Sequence, residues 1–467
     1  MTSSTDGDAI DGWRALLGPR HVRTSTLLAG GVALYATNEF VTASLLPSAI
    51  ADIGGERLYA WVTTLYRVGS VITASMVSAA LSRIGPRPSY LLGLAVFGLG
   101  SVVCAVAPDM AVLLVGRTLQ GAGGGLLAGL GYALINAVLP PSLWTKASAL
   151  VAAMWGVATV IGPAAGGFFA QFGLWRWAFG AVAILTVAMA ALVPGVLPAG
   201  RGDRSDAAQL LKTPVWSVLL LGAAALTISV AQLPTNAAET AGLLLVSLAL
   251  LVVFVLVDRR SSVKVLPPST FGSGPLKWIY LSLAVLMASA MVDMYVPLFG
   301  QRLAHLGPAA AGFLGAALAV GWTLGEVLSA SLSSKTVIRR VVVASPLVMA
   351  VGLMVAAATQ VDNASARLVV TWVLALTVTG LGLGGAWPHL SAWAMRCVDD
   401  AKEGAAAAAA INTVELISGA FGAGLAGVVV NSSHGGVVVA ARTLFAVFTV
   451  VGIAAVLTAY RASRHLR

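Results

Sequence analysis

The chain has 467 residues, 58% of them hydrophobic and only 10% charged, with a mean hydropathy of +0.91. A water-soluble protein of that length has no way to hide so much apolar surface, so the solvent around most of the chain is lipid. The net charge of +10 is not the footprint of a nucleic-acid binder, because the basic residues fall mostly in alternate loops between apolar segments.

In chain order, a polar tail of mixed charge, 1–24, precedes an apolar run that is too long for a signal-peptide core and has no A-x-A-like cleavage site. From there the sequence divides into fourteen segments of roughly 20 apolar residues: about 25–48, 59–81, 89–107, 110–138, 143–171, 176–197, 215–233, 241–257, 277–300, 308–333, 338–359, 367–395, 404–431 and 436–460. The segments do not alternate apolar and polar residues as barrel strands do, so the expected fold is an all-α polytopic membrane protein. An even number of spans puts both ends on one side. Arg14, Arg20 and Arg23 before the first span, and Arg461, Arg464 and Arg467 after the last, mark that side as cytoplasmic.

The longest polar stretches, 198–214 and 258–276, flank the seventh and eighth spans. The expected organisation is an N-terminal tail (1–24), a six-helix bundle (25–197), cytoplasmic linkers with two inserted helices (198–276), a second six-helix bundle (277–460) and a tail (461–467). An internal echo supports the division. Ser78-Ala79-Ala80-Leu81-Ser82-Arg83 closes the second span and Ser329-Ala330-Ser331-Leu332-Ser333-Ser334 closes the tenth. Two parallel halves of this kind are one plan for a secondary transporter.

Ionisable side chains inside spans are costly and turn towards the interior or a watery cavity. Here they include Glu39, Arg67, Arg117, Asp293, Glu326, Glu415 and Arg442, with His389 beside them. Counting residues at ~1.5 Å rise each puts Glu39, Arg67, Arg117 and Asp293 roughly 10–14 Å from the outer ends of their spans, near mid-membrane. One reading is a structural ion pair between Glu39 and Arg67 or Arg117. The other is proton coupling: a water-poor cavity disfavours a charged carboxylate and a nearby arginine favours it, so a change in their separation would load or release a proton. Glu39 is the first candidate carrier, because Asn38 and Thr42 supply polar neighbours, followed by Asp293 and Glu415. Arg117 does not deprotonate and would act as the modulator. Arg67 is expected only to neutralise. Glu326 and His389 lie nearer the cytoplasmic side, where an inner-gate contact, a proton exit, snorkelling or capping are all open.

Glycines and breakers concentrate between Gly116 and Gly167. Gly121, Gly123, Gly124 and Gly125 permit close helix approach, Gly162 and Pro163 permit a bend, and Gly166 and Gly167 keep one helix face flat. Together they would form the seam on which the halves close. A cavity for varied hydrophobic compounds needs aromatic faces and few fixed charges; its candidate lining residues are Tyr35, Asn38, Gln120, Trp155, Tyr295, Trp322, Trp387 and Asn412. Trp61, Trp144, Trp175, Trp177, Trp216 and Trp278 lie near span ends and read as an interfacial belt. Cys104 and Cys397 read as packing residues, with no disulfide or metal site expected.

These residues resemble a known family. Gly116-Arg117-Thr118-Leu119-Gln120-Gly121-Ala122-Gly123 matches the fourth-helix motif R-x-x-Q-G-x-G of the major facilitator superfamily, and Gly162-Pro163-Ala164-Ala165-Gly166-Gly167 matches its fifth-helix antiporter motif. Trp175-Arg176-Trp177-Ala178-Phe179 resembles the W-R-W-x-F of the drug:proton antiporter group with fourteen spans. Asn38-Glu39 through Leu46-Pro47 resembles that group's acidic first-helix motif, with Glu in place of the usual Asp. The resemblance implies the major facilitator fold, a role in proton transfer for Arg117, and gating roles for Arg83, Gly85 and Arg87 in the loop after span two. In that loop Ser82 replaces the family's acid, which implies a weaker outward-facing latch.

The implied function is proton-coupled export of drugs or other amphipathic small molecules across the inner (plasma) membrane, by a chain working as a monomer. No cofactor is expected and no G-x-x-x-x-G-K-[ST] motif appears, so the proton gradient and not ATP supplies the energy. The alternatives are an exporter of one metabolite, lipid or siderophore, or a membrane receptor or enzyme. Neither clustered catalytic residues nor a large soluble domain is visible for the last.

Overall fold

The computed structural model describes residues 13–198, 215–234, 236–261, 264–397 and 401–464. Every regular element among them is helical, as lipid demands, since a helix satisfies its own backbone where no water can. In chain order the helices are α1 Val22–Ile53; α2 in two pieces, Tyr59–Ala74 and Val77–Ile84; α3 Pro86–Ala105; α4 Met110–Ala133; α5 Trp144–Gln171; α6 Trp175–Val196; α7 Val215–Val230 and α8 Ala237–Arg260. Then come α9 in three pieces, Leu276–Ala290, a 3₁₀ turn Met291–Tyr295 and Val296–Ala304; α10 Pro308–Ala330; α11 Lys335–Thr359; α12 Ala366–Arg396; α13 Ala401–Asn431; and α14 Gly436–Arg464. Eleven helices among the described residues are long and apolar enough to cross a membrane. The interrupted α2, the 16-residue α7 and α1 are not among them. In α1, Thr37, Asn38, Glu39, Thr42 and Ser44 dilute the apolar run.

Three spans depart from the expected outline. The second is interrupted at Ser75 and Met76, and the fourth ends at Ala133 before a short Ile135–Val138 helix. The ninth does not stop at 300 but runs through the 3₁₀ turn to Ala304. Pro163 lies inside α5, which is α-helical on both sides of it.

The helix contacts repeat with an offset of eight. In the first half α3 packs on α4, α2 on α4, α3 on α6 and α1 on α5. In the second, α11 packs on α12, α10 on α12, α11 on α14 and α9 on α13. The halves meet through α5 against α10 and α13 against α2. Glycine makes the tightest crossings in both halves: a Cβ on Gly121 or Gly125 would strike the backbone of Tyr66 or Ser70, and one on Gly380 or Gly384 would strike that of Leu318 or Trp322. Without a hydrophobic drive between helices in lipid, such close backbone approach is what holds them. The second-half glycines were not singled out from sequence, although Gly380-Leu381-Gly382-Leu383-Gly384-Gly385 carries the same signal as Gly121 to Gly125.

α7 packs against α2 and α13, with α8 beside it. Ser229 of α7 donates to Thr64 of α2 at 3.0 Å. In the last turn of α8, the buried Asp258 carboxylate accepts from Ser217 at 2.8 Å and from the backbone N–H groups of Val265 and Leu266 at 2.8 and 3.0 Å. This fixes the start of the chain leading to α9.

On the face away from the chain ends, the halves interlock. The Tyr59 hydroxyl donates to the Met294 carbonyl at 2.8 Å, and the Tyr59 ring stacks on Tyr295 at 4.6 Å. Arg302 pairs with Glu56, and Asn431 donates to the Arg57 carbonyl at 2.9 Å. Of the expected belt tryptophans, Trp177 and Trp216 are exposed, but Trp175 is buried and its indole N–H donates to Asp52.

Candidate functional site

Between the halves lies a cavity of about 530 Å³. It begins at the mid-depth residues of α1, α2, α9 and α13 and extends along α4, α5, α10 and α12 towards the face that carries the chain ends. Glu39, Arg67, Asp293, Glu415 and Glu326 all line it, as do Trp155, Trp322 and Trp387. Four carboxylates thus share one cavity with one guanidinium, inside a chain whose net charge is +10.

The guanidinium is already engaged. Arg67 Nη2 donates to Glu39 Oε1, with the two side chains only 5% and 14% exposed. Arg67 also lies against Gly419 of α13, where a Cβ would displace it. Gly419 is one helical turn beyond Glu415, so the absent side chain lets an arginine of the first half project towards an acid of the second. Around the pair, Glu39 Oε2, Arg67 Nε, Asn38 Nδ2 and the Tyr35 hydroxyl are buried without a partner among the described residues.

Arg117 stands elsewhere. It is 1% exposed, donates from Nη1 to Gln120 Oε1 at 2.8 Å and from Nε to the Val62 carbonyl at 3.3 Å, and covers the Tyr66 ring at 4.0 Å. Gln120 passes the network on to Ser101 at 2.9 Å and Asn38 at 3.3 Å. Among the described residues Arg117 therefore touches no carboxylate, and its link to Glu39 runs through Gln120 and Asn38, the neighbour of Glu39. Arg117 thus sits at the centre of a buried network, while Arg67 occupies the place beside Glu39.

The other expected residues divide by location. Tyr35, Asn38, Gln120 and Tyr295 are buried behind the cavity wall, where Tyr35 stacks on Tyr66 at 5.3 Å and meets Trp155 edge-on at 5.8 Å. Asn412 is exposed and away from the cavity lining. Gly162 and Gly166 face α1 at Phe40 and Val41, whereas Gly167 faces Ala309 of α10 and the Pro163 carbonyl approaches Gly312. Only the last two contacts belong to the seam between halves. Gly85 takes φ +82° at the turn into α3, a backbone that favours glycine. Arg83 is exposed there and Arg87 is half-buried, and the Ser82 side chain lies outside the described residues.

Sequence reasoning missed Met287, Met291 and Met294, which line the cavity from α9. Their helical spacing beside Asp293 was a usable signal, because flexible thioethers suit a wall that must accept varied shapes. His389 bonds the Ser329 carbonyl at 3.1 Å, which makes it a helix-packing contact. No group of three or more His, Cys, Asp or Glu side chains among the described residues is disposed to hold a metal ion.

Residues 28–423 match the family model of the Major Facilitator Superfamily. The chain is 64% identical over 458 residues, 97% of each chain, to a probable multidrug-efflux transporter of Mycobacterium tuberculosis. It is 25% identical to multidrug transporter protein MdtP of Bacillus subtilis, over 88% of this chain and 76% of that one. Among solved structures, a bacterial homologue of the human lysosomal transporter Spinster superposes with a TM-score of 0.67 at 15% identity, covering 96% of this chain and 98% of that one. The nucleoside transporter NupG superposes with a TM-score of 0.63 at 13% identity, over 95% of this chain and 99% of that one. With these likenesses, the repeated helix contacts and the cavity between the halves, the chain belongs to the major facilitator superfamily.

Proposed function

We propose that the chain is a proton-coupled secondary transporter that exports hydrophobic and amphipathic small molecules by alternating access. The observation that carries the reading is the Glu39–Arg67 pair at mid-depth in a cavity shared with Asp293 and Glu415. The names of the relatives from M. tuberculosis and B. subtilis point the same way. One guanidinium cannot neutralise three carboxylates, so protons supply the missing positive charge. A proton on Glu39 dissolves its ion pair and frees Arg67 to turn about Gly419 towards Glu415. Because Arg67 and Glu39 come from the first half and Glu415 from the second, that exchange alters the attraction between halves. Proton binding thereby becomes a bias on which face is closed.

In this reading all fourteen helices cross the plasma membrane with both chain ends in the cytoplasm. Residues 25–197 and 277–460 form the two moving bundles, the pair in 198–276 is inserted between them, and a single chain suffices. The state described is then closed to the outside.

Glu39→Gln tests the reading. Export of a fluorescent dye from cells is measured with and without a protonophore, with the amount of protein in the membrane as control. The variant is expected to reach the membrane and to lose gradient-driven export by about tenfold or more. Full, protonophore-sensitive export by Glu39→Gln would remove Glu39 from the mechanism.

A further inference from the structure

Away from the cavity, the chain-end face carries a strip where four segments converge: the end of α8, the Pro268–Phe271 turn, the start of α9 and the end of α14. Arg259 of α8 covers the Phe271 ring at 5.4 Å. Lys277 of α9 donates from Nζ to the Gly272 carbonyl at 3.0 Å, and the neighbouring Trp278 ring lies under the Arg461 guanidinium of α14 at 5.0 Å. Arg260 and Arg464 extend the row along their helices. All five cations are exposed, and none has an ion-pair partner among the described residues. Asp258, the adjoining acid, is buried and already accepts from Ser217, Val265 and Leu266, so it leaves the row uncompensated.

Snorkelling alone puts cations at the ends of spans, but three features go beyond it here. Aromatic faces hold two of the guanidinium groups in place before any ligand arrives. Four positions deeper on each helix stands a leucine: Leu256 below Arg260, Leu281 below Lys277 and Leu457 below Arg461. Residues four apart share a helix face, and these leucines are 50%, 44% and 56% exposed. Finally, α8 packs closely on α7 and on neither α9 nor α14, which leaves room between it and the second bundle. A ligand that meets both rows carries negative charge at one end and hydrocarbon at the other. A free phosphate uses only the cations, and a zwitterionic lipid brings a positive charge of its own to them.

We propose that this strip binds anionic phospholipid, with the headgroup phosphate on the cations and the acyl chains along the three leucines. Because α8 belongs to the inserted pair, and α9 and α14 to the second bundle, the bound lipid pins one to the other. The site depends neither on transport nor on the orientation of the chain in the membrane.

The test follows melting of the purified full-length protein in neutral detergent micelles as lipid is added. Phosphatidylglycerol is expected to raise the melting temperature by about 3 °C or more. Phosphatidylcholine with the same acyl chains, and inorganic phosphate, should leave it within about 1 °C. Each cation near an anionic headgroup is worth roughly fivefold in affinity. Arg259→Gln/Arg461→Gln is therefore expected to need about tenfold or more phosphatidylglycerol for half the effect. Arg259→Lys/Arg461→Lys keeps both charges and should stay within about threefold. Lys277→Gln, which removes one exposed side chain, gives the same readout at about fivefold if the double variant does not fold. The control is Arg339→Gln/Arg340→Gln, which takes two exposed cations of the same face from the start of α11 and should change the midpoint by less than about twofold. A wild-type shift with phosphatidylcholine or phosphate equal to that with phosphatidylglycerol overturns the proposal. So does an equal loss in the α11 control, which would reduce the strip to general surface charge.

Discussion

Arg67 and Arg117 lie at similar depths on α2 and α4, yet among the described contacts only Arg67 meets an acid. Depth is legible in sequence, because residues can be counted along a span. Direction around the helix axis is not, and it is direction that gives Glu39 to Arg67 and Gln120 to Arg117. The distinction has a measurable consequence. Arg117 uses two nitrogens and the face of its guanidinium on three different partners, Gln120, Val62 and Tyr66. A lysine keeps the charge but has no planar fork to satisfy the three together. Arg117→Lys is therefore expected to destabilise the fold by about 1–3 kcal/mol, since it leaves buried acceptors unmet. Arg67→Lys, which retains one charged bond to Glu39, should be milder. Melting of the detergent-solubilised proteins compares them. A wild-type melting curve for Arg117→Lys, with transport alone impaired, would return Arg117 to the role of proton modulator.

At the scale of the helix, two features decide where the site residues stand. Asp293 sits in the 3₁₀ turn Met291–Tyr295, whose own sequence contains no Gly or Pro. Just beyond it, Pro297 has no N–H to give to the Asp293 carbonyl four residues back, so that rung of the α-helical ladder is missing. Pro47, Pro163, Pro194, Pro346 and Pro388 all sit inside helices that remain α, which is why a proline alone did not mark the break in the sequence. The glycine crossings were readable in α4, where they were sought, and equally present in α12. Their energetic weight is local. A Cβ at Gly121 would run into the Tyr66 backbone, which cannot swing aside, whereas Gly156 has nothing within 4 Å of its missing Cβ. Gly121→Ala is expected to cost about 1–3 kcal/mol through overpacking of α2 against α4. Gly156→Ala should be neutral or slightly stabilising. Thermal unfolding of the two variants side by side checks this. Equal stability would mean that α2 and α4 shift apart without cost, contrary to the interlocked backbones.

For the molecule as a whole, the question is what holds the halves together on the face away from the chain ends. The Arg302–Glu56 pair is the conspicuous contact, but its side chains are 39% and 63% exposed. Such a pair is worth roughly 0–1 kcal/mol. The Tyr59 interlock is buried: its hydroxyl meets the Met294 carbonyl and its ring stacks on Tyr295, which stacks in turn on Phe299 at 5.9 Å. Loss of that hydroxyl leaves a buried carbonyl unsatisfied, at about 1–3 kcal/mol. With a buried hydrogen bond and a stacked ring, the interlock outweighs the exposed ion pair on this face. It was invisible in sequence because Tyr59 and Tyr295 are 236 positions apart and neither belongs to a motif; only the fold brings them together. Tyr59→Phe is expected to open this face in a larger fraction of molecules, by about fivefold or more, while Glu56→Gln changes it little. A single cysteine at Ala60, buried beside Gly427 of the other half, reports opening through its rate of labelling by a membrane-impermeant maleimide, with Cys104 and Cys397 replaced by serine. Faster labelling in Glu56→Gln than in Tyr59→Phe would reverse the ranking. It would mean that charge at the rim, and not the buried hydroxyl next to the Asp293 turn, governs closure. The geometry argues against that outcome, because Met294 is the residue after Asp293. A bond that ends on its carbonyl joins the proposed proton site to the closed face within one 3₁₀ turn.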